Sequence, residues 1–191
     1  MTFNFEKHKE IEDIIIIKPQ VFWDERWFFM ETYNQKEFSD NGIENTFIQD
    51  NHSKSNKWIF RWLHFQTENA QSKLVRVLQW SVLDFAVDIR KLSETYGKYI
   101  VELLSAENKK QLFVPKWFAH GFIALENGTE FAYKCDNLYN PQYEWWIAFN
   151  DPDINIPREN IIKAHWIEKI IVSEKDKRNI SLQDFKKMNP F

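Results

Sequence analysis

Residues 60–90 read FRWLHFQTENAQSKLVRVLQWSVLDFAVDIR, and this stretch decides the fold. Positions 59–65 and 74–78 are rich in aliphatic and aromatic residues. In 81–90, Leu83, Phe85, Val87 and Ile89 alternate with Val82, Asp84, Ala86 and Asp88. That period of two marks a half-buried strand. Arg61, His64, Lys73 and Arg76 fall inside these strands instead of in loops. Cationic groups on strands are costly to bury unless they face a wet pocket or a bound anion. For Arg76 or Lys91 taken singly, a solvated outward face is the simpler reading.

Working outward, the rest of the chain repeats short strands punctuated by turn residues. A strand over 13–18 is ended by Pro19, which cannot donate to a ladder. A short helix is predicted over 34–41, with Asn34 as cap, Phe38 as its apolar contact and Gly42 just past its end. Further strands are predicted near 46–50, 59–65, 73–79, 82–89, 98–105, 111–114, 118–125, 129–136 and 145–149. Their spacing is that of a sandwich or barrel. From Asp151 the character changes: DPDINIPREN reads as loop, and 174–186 is charged and can form a helix. No repeat, low-complexity tract or linker divides the chain, so one all-β domain over 1–191 is expected, with a core over about 45–150 and 151–191 packed on it.

Composition narrows the class. The chain has 191 residues and a net charge of −3, with a sequence pI of about 6.0, so there is no basic footprint for nucleic acid. The single cysteine, Cys135, excludes an internal disulfide framework and suits a reducing compartment. The opening MTFNFEKHKEIED is polar and acidic, unlike a secretory signal. The aliphatic run at 14–17 is far too short to span a membrane. A cytoplasmic location and no membrane partner are the expectation.

The polar residues on strands allow two chemistries. A metal site on one strand face calls for a His-x-His pair and a carboxylate, but Leu63-His64-Phe65-Gln66 offers one histidine. His120 could add a second ligand, and no third stands at ligand spacing. The other chemistry is proton transfer. By parity His120 shares a face with Phe118 and Phe122, and Tyr133 with Phe131 and Cys135. Either could equally be a core residue with a satisfied hydrogen bond. Parity separates Arg61 from His64, so both reach one pocket only through a bulge or at a barrel mouth.

Several motifs, in order, resemble the dTDP-4-dehydrorhamnose 3,5-epimerase family. They are DERWFFMETYN, FIQDNHSKS, R-x-L-H-F-Q, A-Q-x-K-L-V-R-V, V-x-D-x-A-V-D-I-R, LSAENKKQLFVPKWFAHGF and EFAYK. The resemblance covers roughly residues 20–155, with SEKD at 173–176. It implies a cupin-like jelly roll with minor helices near the termini, acting without cofactor or metal, as a homodimer whose N-terminal strand completes the partner's sheet. The implied reaction inverts C3 and C5 of a 4-keto dTDP-sugar, each carbon being α to the ketone. Enzymes inverting only C3 or only C5 share that chemistry. A sugar-binding jelly roll without catalysis and a metal-dependent cupin oxygenase are the other classes to separate.

Carried over by motif, His64 is the general base, with Asp176 orienting its imidazole. Lys73 neutralises the enolate oxygen, and Tyr133 delivers a proton from the opposite face. His120 helps to hold the sugar. Arg26, Glu31, Gln49, Asn51, Arg61 and Glu144 match positions that hold nucleotide and sugar. Arginines suit pyrophosphate by bidentate bonding, and Phe28 packs on the thymine. The segment 155–171 departs from the family in register, so Asp176 rests on the short SEKD match.

Tryptophan and glycine are out of balance. The chain has 9 tryptophans and only 4 glycines, whereas average usage would supply about 13 glycines. Trp23, Trp27, Trp62, Trp80 and Trp117 stand where the family motifs carry glycine, and Trp58, Trp145 and Trp146 extend the set. Only Trp166 has no such reading. Trp80 falls at a turn between strands, where positive φ strains a bulky residue. Trp62 has the parity of His64, so its indole is expected to project toward the pocket. One cause for all eight is a gene in which UGA encodes glycine, here read as tryptophan. The alternative is a divergent protein whose tryptophans line a reshaped sugar site.

Overall fold

The computed structural model describes residues 2–173 and 179–188. Its chain order is β1 (Phe3–Lys7), β2 (Ile15–Pro19), β3 (Val21–Asp24), β4 (Trp27–Met30), α1 (Gln35–Asp40), β5 (Gln49–Ser55), β6 (Phe60–Gln66), β7 (Lys73–Gln79), β8 (Ser81–Asp88), β9 (Tyr99–Ser105), β10 (Gln111–Val114), β11 (Phe118–Ala124), β12 (Thr129–Cys135), β13 (Glu144–Trp146), α2 (Arg158–Ala164) and α3 (Leu182–Met188). Two antiparallel sheets face each other, in the orders β1-β2-β10-β7-β12-β5 and β13-β6-β11-β8-β9. This is the expected all-β jelly roll.

The alternation read in 81–90 explains how the layers form. Val82 and Ala86 point between the sheets, where they join Val75, Leu112, Phe118, Phe122 and Phe131. Leu83, Phe85 and Val87 point the other way and meet Ile147, Phe149, Ile154, Ile167, Leu182 and Phe185 of the C-terminal segment. Because both faces of β8 are covered, all of Val82–Asp88 is buried, not half-buried. The C-terminal segment thus packs on one outer sheet face. On the other sheet's outer face, α1 places Phe38 against Phe3, Ile17, Leu74 and Phe113. Helix α1 starts where predicted, with Asn34 Oδ1 accepting from the Glu37 amide at 3.2 Å.

Strands β7 and β10 have the predicted limits, and β8, β9, β11 and β12 differ by a residue. Several elements depart from expectation. Strand β2 begins at Ile15, since Ile14 is taken up in a turn with Ile11. Strand β5 runs to Ser55 although QDNHSKS is almost wholly polar, because it pairs along its whole length with β12. The stretch 21–33 contains the hairpin β3–β4, which pairs with neither large sheet. Residues 158–160, expected as loop, open α2 (Arg158–Ala164), whose Ile161 and Ile162 pack against the C-terminal core. Among the described residues no helix is long and apolar enough to cross a membrane.

Candidate active site

The inward faces of β6, β7, β8, β11 and β12 converge at one mouth of the barrel. His64 lies directly opposite His120 in the β6–β11 pairing, with ring centroids 6.3 Å apart. The register slips between His120 and Phe122, which pair with His64 and Arg61 respectively. Three residues of β6 therefore span two of β11, a bulge that adds one residue to β6. This is the bulge the parity argument required if Arg61 and His64 are to serve one pocket. Gly121 lies at the slip. A Cβ there would sit 2.4 Å from the Arg61 carbonyl oxygen, so only glycine allows β6 and β11 to approach this closely.

The bulge also redirects Trp62. Its indole, expected in the pocket, turns outward instead to stack beside Phe60 and Phe149, and Nε1 donates to the Ile147 carbonyl at 2.7 Å. Parity counted along an unbroken strand fails here because of the extra residue.

His64 is fixed at both ring nitrogens. Nδ1 is 2.9 Å from the Trp62 carbonyl oxygen, and Nε2 is 2.9 Å from Lys73 Nζ. A carbonyl only accepts and an ammonium only donates, so Nδ1 carries the hydrogen and Nε2 presents a lone pair. Burial, reinforced by the Lys73 charge, holds the His64 pKa well below its usual value. The ring is thus a neutral base whose free pair points inward. Burial also lowers the Lys73 pKa, and among the described residues Lys73 is the side chain bonded to that lone pair.

A second pair lies beside the first. His120 Nε2 and Asp84 Oδ1 are 2.8 Å apart, and both residues are buried. Burial raises the Asp84 pKa, with His120 opposing the shift. The other Asp84 oxygen is buried without a hydrogen-bond partner in the structure. Tyr133, on the inner face of β12, is pushed up to about 12 by burial, so its phenol is held protonated as an acid. Cys135 on the same face is pushed up to about 11 for the same reason.

The cavity against His64 and Lys73 is lined by Gln66, Trp117, Tyr139 and Glu144 among others. Its volume of about 10 Å³ admits about one water molecule. Tyr139 donates to Glu144 Oε2 at 2.8 Å, and Gln66 Oε1 accepts from the Asn140 amide at 2.7 Å, which pins the loop that carries Tyr139.

The remaining expected residues divide into two groups. Gln49 and Asn51 lie beside the loop and strand that border this cavity: Gln49 Oε1 accepts from the Tyr139 amide at 2.8 Å, and Asn51 Nδ2 lies 3.7 Å from Cys135 Sγ, whereas Arg61 donates to Ser55 Oγ at 3.1 Å, at the other end of β5 from Gln49. Arg26 and Phe28 are instead on the exposed β3–β4 hairpin, Arg26 paired with Asp24 and Phe28 under the Lys109 ammonium at 4.0 Å. Glu31 accepts from Thr2 Oγ1 at 2.8 Å. None of these three lines the His64 cavity. Asp176 lies outside the described residues. Asp84 and Tyr139 were missed by the sequence reading. The first had a signal: a carboxylate on the apolar inner face of a strand needs a partner, and His120 shares that face. Among the described residues no cluster of three or more His, Cys, Asp or Glu side chains could hold a metal ion.

Comparison with known proteins gives a consistent picture. The model of the dTDP-4-dehydrorhamnose 3,5-epimerase family matches residues 8–184. The epimerase of that name from Methanothermobacter thermautotrophicus is 46% identical over 177 residues, 92% of each chain. That of Salmonella typhimurium is 53% identical over 148 residues, 76% of this chain and 81% of its own. Among solved structures, the epimerase of Legionella pneumophila in complex with dTDP-4-keto-L-rhamnose superposes with a TM-score of 0.87 at 40% identity, covering 95% of this chain and 93% of its own. The chain belongs to the dTDP-4-dehydrorhamnose 3,5-epimerase family.

Proposed function

We propose that the protein epimerises dTDP-4-dehydro-6-deoxy-D-glucose at C3 and C5, giving dTDP-4-dehydro-L-rhamnose, without a cofactor. One observation carries the reading: a neutral, half-buried imidazole with its lone pair beside an ammonium. A proton α to a ketone becomes removable when a positioned base meets it and the growing enolate charge is neutralised in a dry site. His64 Nε2 takes the proton. Lys73, displaced from that lone pair by the sugar, turns to the C4 oxygen, and His120, kept in place by buried Asp84, supports the ring. Tyr133 returns a proton to the opposite face. The substrate's own ketone is the electron sink. Asp176 is assigned by its motif to orient His64.

The nucleotide half of the site explains why Arg26, Phe28 and Glu31 stand apart from His64. The β3–β4 hairpin extends beyond both sheets with Trp23, Trp27 and Phe29 largely exposed. In a homodimer this ribbon carries Arg26 and Phe28 to the partner's barrel mouth, where guanidinium meets pyrophosphate and the phenyl ring meets thymine. Strand β1, paired with β2 of its own chain, stands at the edge of its sheet, and its outer side is left to extend a partner's sheet. The test is incubation with dTDP-4-dehydro-6-deoxy-D-glucose and NMR reading of configuration at C3 and C5. Inversion at both carbons supports the assignment. Inversion at one alone reassigns the enzyme to a single-carbon epimerase, and bound but unconverted sugar to a binding module.

A further inference from the structure

The tryptophans occupy glycine geometry. Among the described residues eight non-glycines have positive φ, and five of them are tryptophan: Trp27 (101°), Trp58 (65°), Trp80 (66°), Trp117 (69°) and Trp166 (52°). Two of the other three are asparagines, which tolerate this region, whereas a bulky residue there is an outlier. The preference is not one for aromatic rings. The chain has 17 phenylalanines and 6 tyrosines, and none of those described has positive φ. Its glycines behave as the tryptophans do, with three of the four at positive φ: Gly42, Gly97 and Gly128.

The ends of two helices give an internal comparison. After α1, Gly42 N–H donates to the Ser39 carbonyl and Ile43 N–H to Phe38, at 3.1 and 2.9 Å. After α2, Trp166 N–H donates to Lys163 and Ile167 N–H to Ile162, at 3.4 and 3.0 Å. Both are the same helix-ending motif, which places a left-handed residue, usually glycine, just past the cap. Gly42 fills that place at 87° and Trp166 at 52°. Trp166 therefore joins the set from which sequence motifs had left it out.

Trp27, Trp80 and Trp166 are exposed, and lie on the hairpin, at the β7–β8 turn and beyond α2. They are too scattered to line one reshaped sugar site. Trp58 Nε1 is buried with no hydrogen-bond partner, a state that typically destabilises. Trp117 forms part of the wall of the cavity beside His64 and Lys73.

We infer that the native protein carries glycine at positions 27, 58, 80, 117 and 166, the tryptophans being UGA codons read in the wrong code. Trp23, Trp62, Trp145 and Trp146 lack positive φ, so backbone conformation makes no demand at those four. Glycine at 117 removes the indole from the cavity wall and gives the native site room that this chain lacks.

Two measurements test the inference. Peptide masses of the protein purified from its native cells, read beside the codons of its gene, are expected to give glycine at all five positions, each encoded UGA. Tryptophan masses or UGG codons there overturn it, whether or not any recombinant chain folds. In the second, three recombinant forms are compared by thermal unfolding: the chain as written, the five-fold Trp→Gly chain, and a control with Trp23→Gly and Trp145→Gly only. The five-fold chain is expected to unfold several degrees higher than the chain as written, and the control no higher. A control that gains as much, or a five-fold chain that unfolds lower, contradicts a backbone demand for glycine.

Discussion

Lys73 Nζ stands 2.9 Å from His64 Nε2, so the group proposed to stabilise the enolate occupies, before substrate arrives, the lone pair that must take the proton. The contact adds to burial in keeping the imidazole neutral. Removing Lys73 separates its two effects. Lys73→Met is expected to raise the His64 pKa toward its ordinary value, because one of the two main causes of its depression is gone, while turnover falls roughly 10²–10⁴-fold. NMR titration of the His64 ring checks the first and steady-state kinetics the second. An unchanged titration would contradict the coupling.

The pH dependence follows from the same groups. His64 works as a base only when neutral, and its pKa lies well below 6.5 in the folded protein. The acid limb of kcat/KM should therefore lie below pH 6.5. Tyr133, held up to about 12, remains protonated across the neutral range and imposes no alkaline limb there. The stability sign is the same: the unfolded histidine binds its proton near 6.5 and the folded one does not, so stability falls as pH drops below 6.5. An acid limb above pH 7 would count against this assignment.

Asp84 and His120 should be coupled energetically. His120→Ala leaves a buried carboxylate without its partner, a change that typically costs about 3–5 kcal/mol. Adding Asp84→Ala removes the stranded charge, so the double variant should lose less than the sum of the singles. Denaturant unfolding of the four proteins gives the interaction directly. Additive losses would mean that the 2.8 Å contact carries no weight.

How far the site was legible depends on what each feature rests on. Strand β8 and the inward positions of His120 and Tyr133 followed from a period of two. Whether His64 and Arg61 serve one pocket could be posed but not settled, because it rests on the register slip opposite Gly121, which no periodicity records. The same slip sent the Trp62 indole to the outer layer. The polar β5 was misplaced because its strand character comes from pairing with β12 and not from its own residues. Trp166 looked ordinary until the helix end it follows was seen beside that of Gly42.

Tyr133→Phe should uncouple proton removal from inversion. The base remains, so an α-proton can leave and return on one face, while delivery to the other face is lost. Label should enter from deuterated water while net epimerisation falls roughly 10²–10⁴-fold. Loss of exchange in parallel with inversion would place Tyr133 in proton removal instead.

The homodimer and the cofactor-free mechanism make a joint prediction. Light scattering should give twice the chain mass, and exhaustive chelation should leave turnover unchanged. Arg26→Ala, at the hairpin tip, should raise KM for the dTDP-sugar with kcat largely kept, because pyrophosphate binding is equal in ground and transition states. A monomer with full activity, or activity lost to chelator and restored by metal, would contradict it.

The central claim is that His64 is the base, and it is tested most directly by incubating dTDP-4-dehydro-6-deoxy-D-glucose in deuterated water with the parent enzyme and with His64→Ala. NMR then follows deuterium at C3 and C5. The account predicts label at both carbons with the parent and none above the uncatalysed rate with His64→Ala. Label entering C5 at the parent rate in the His64→Ala protein would contradict it.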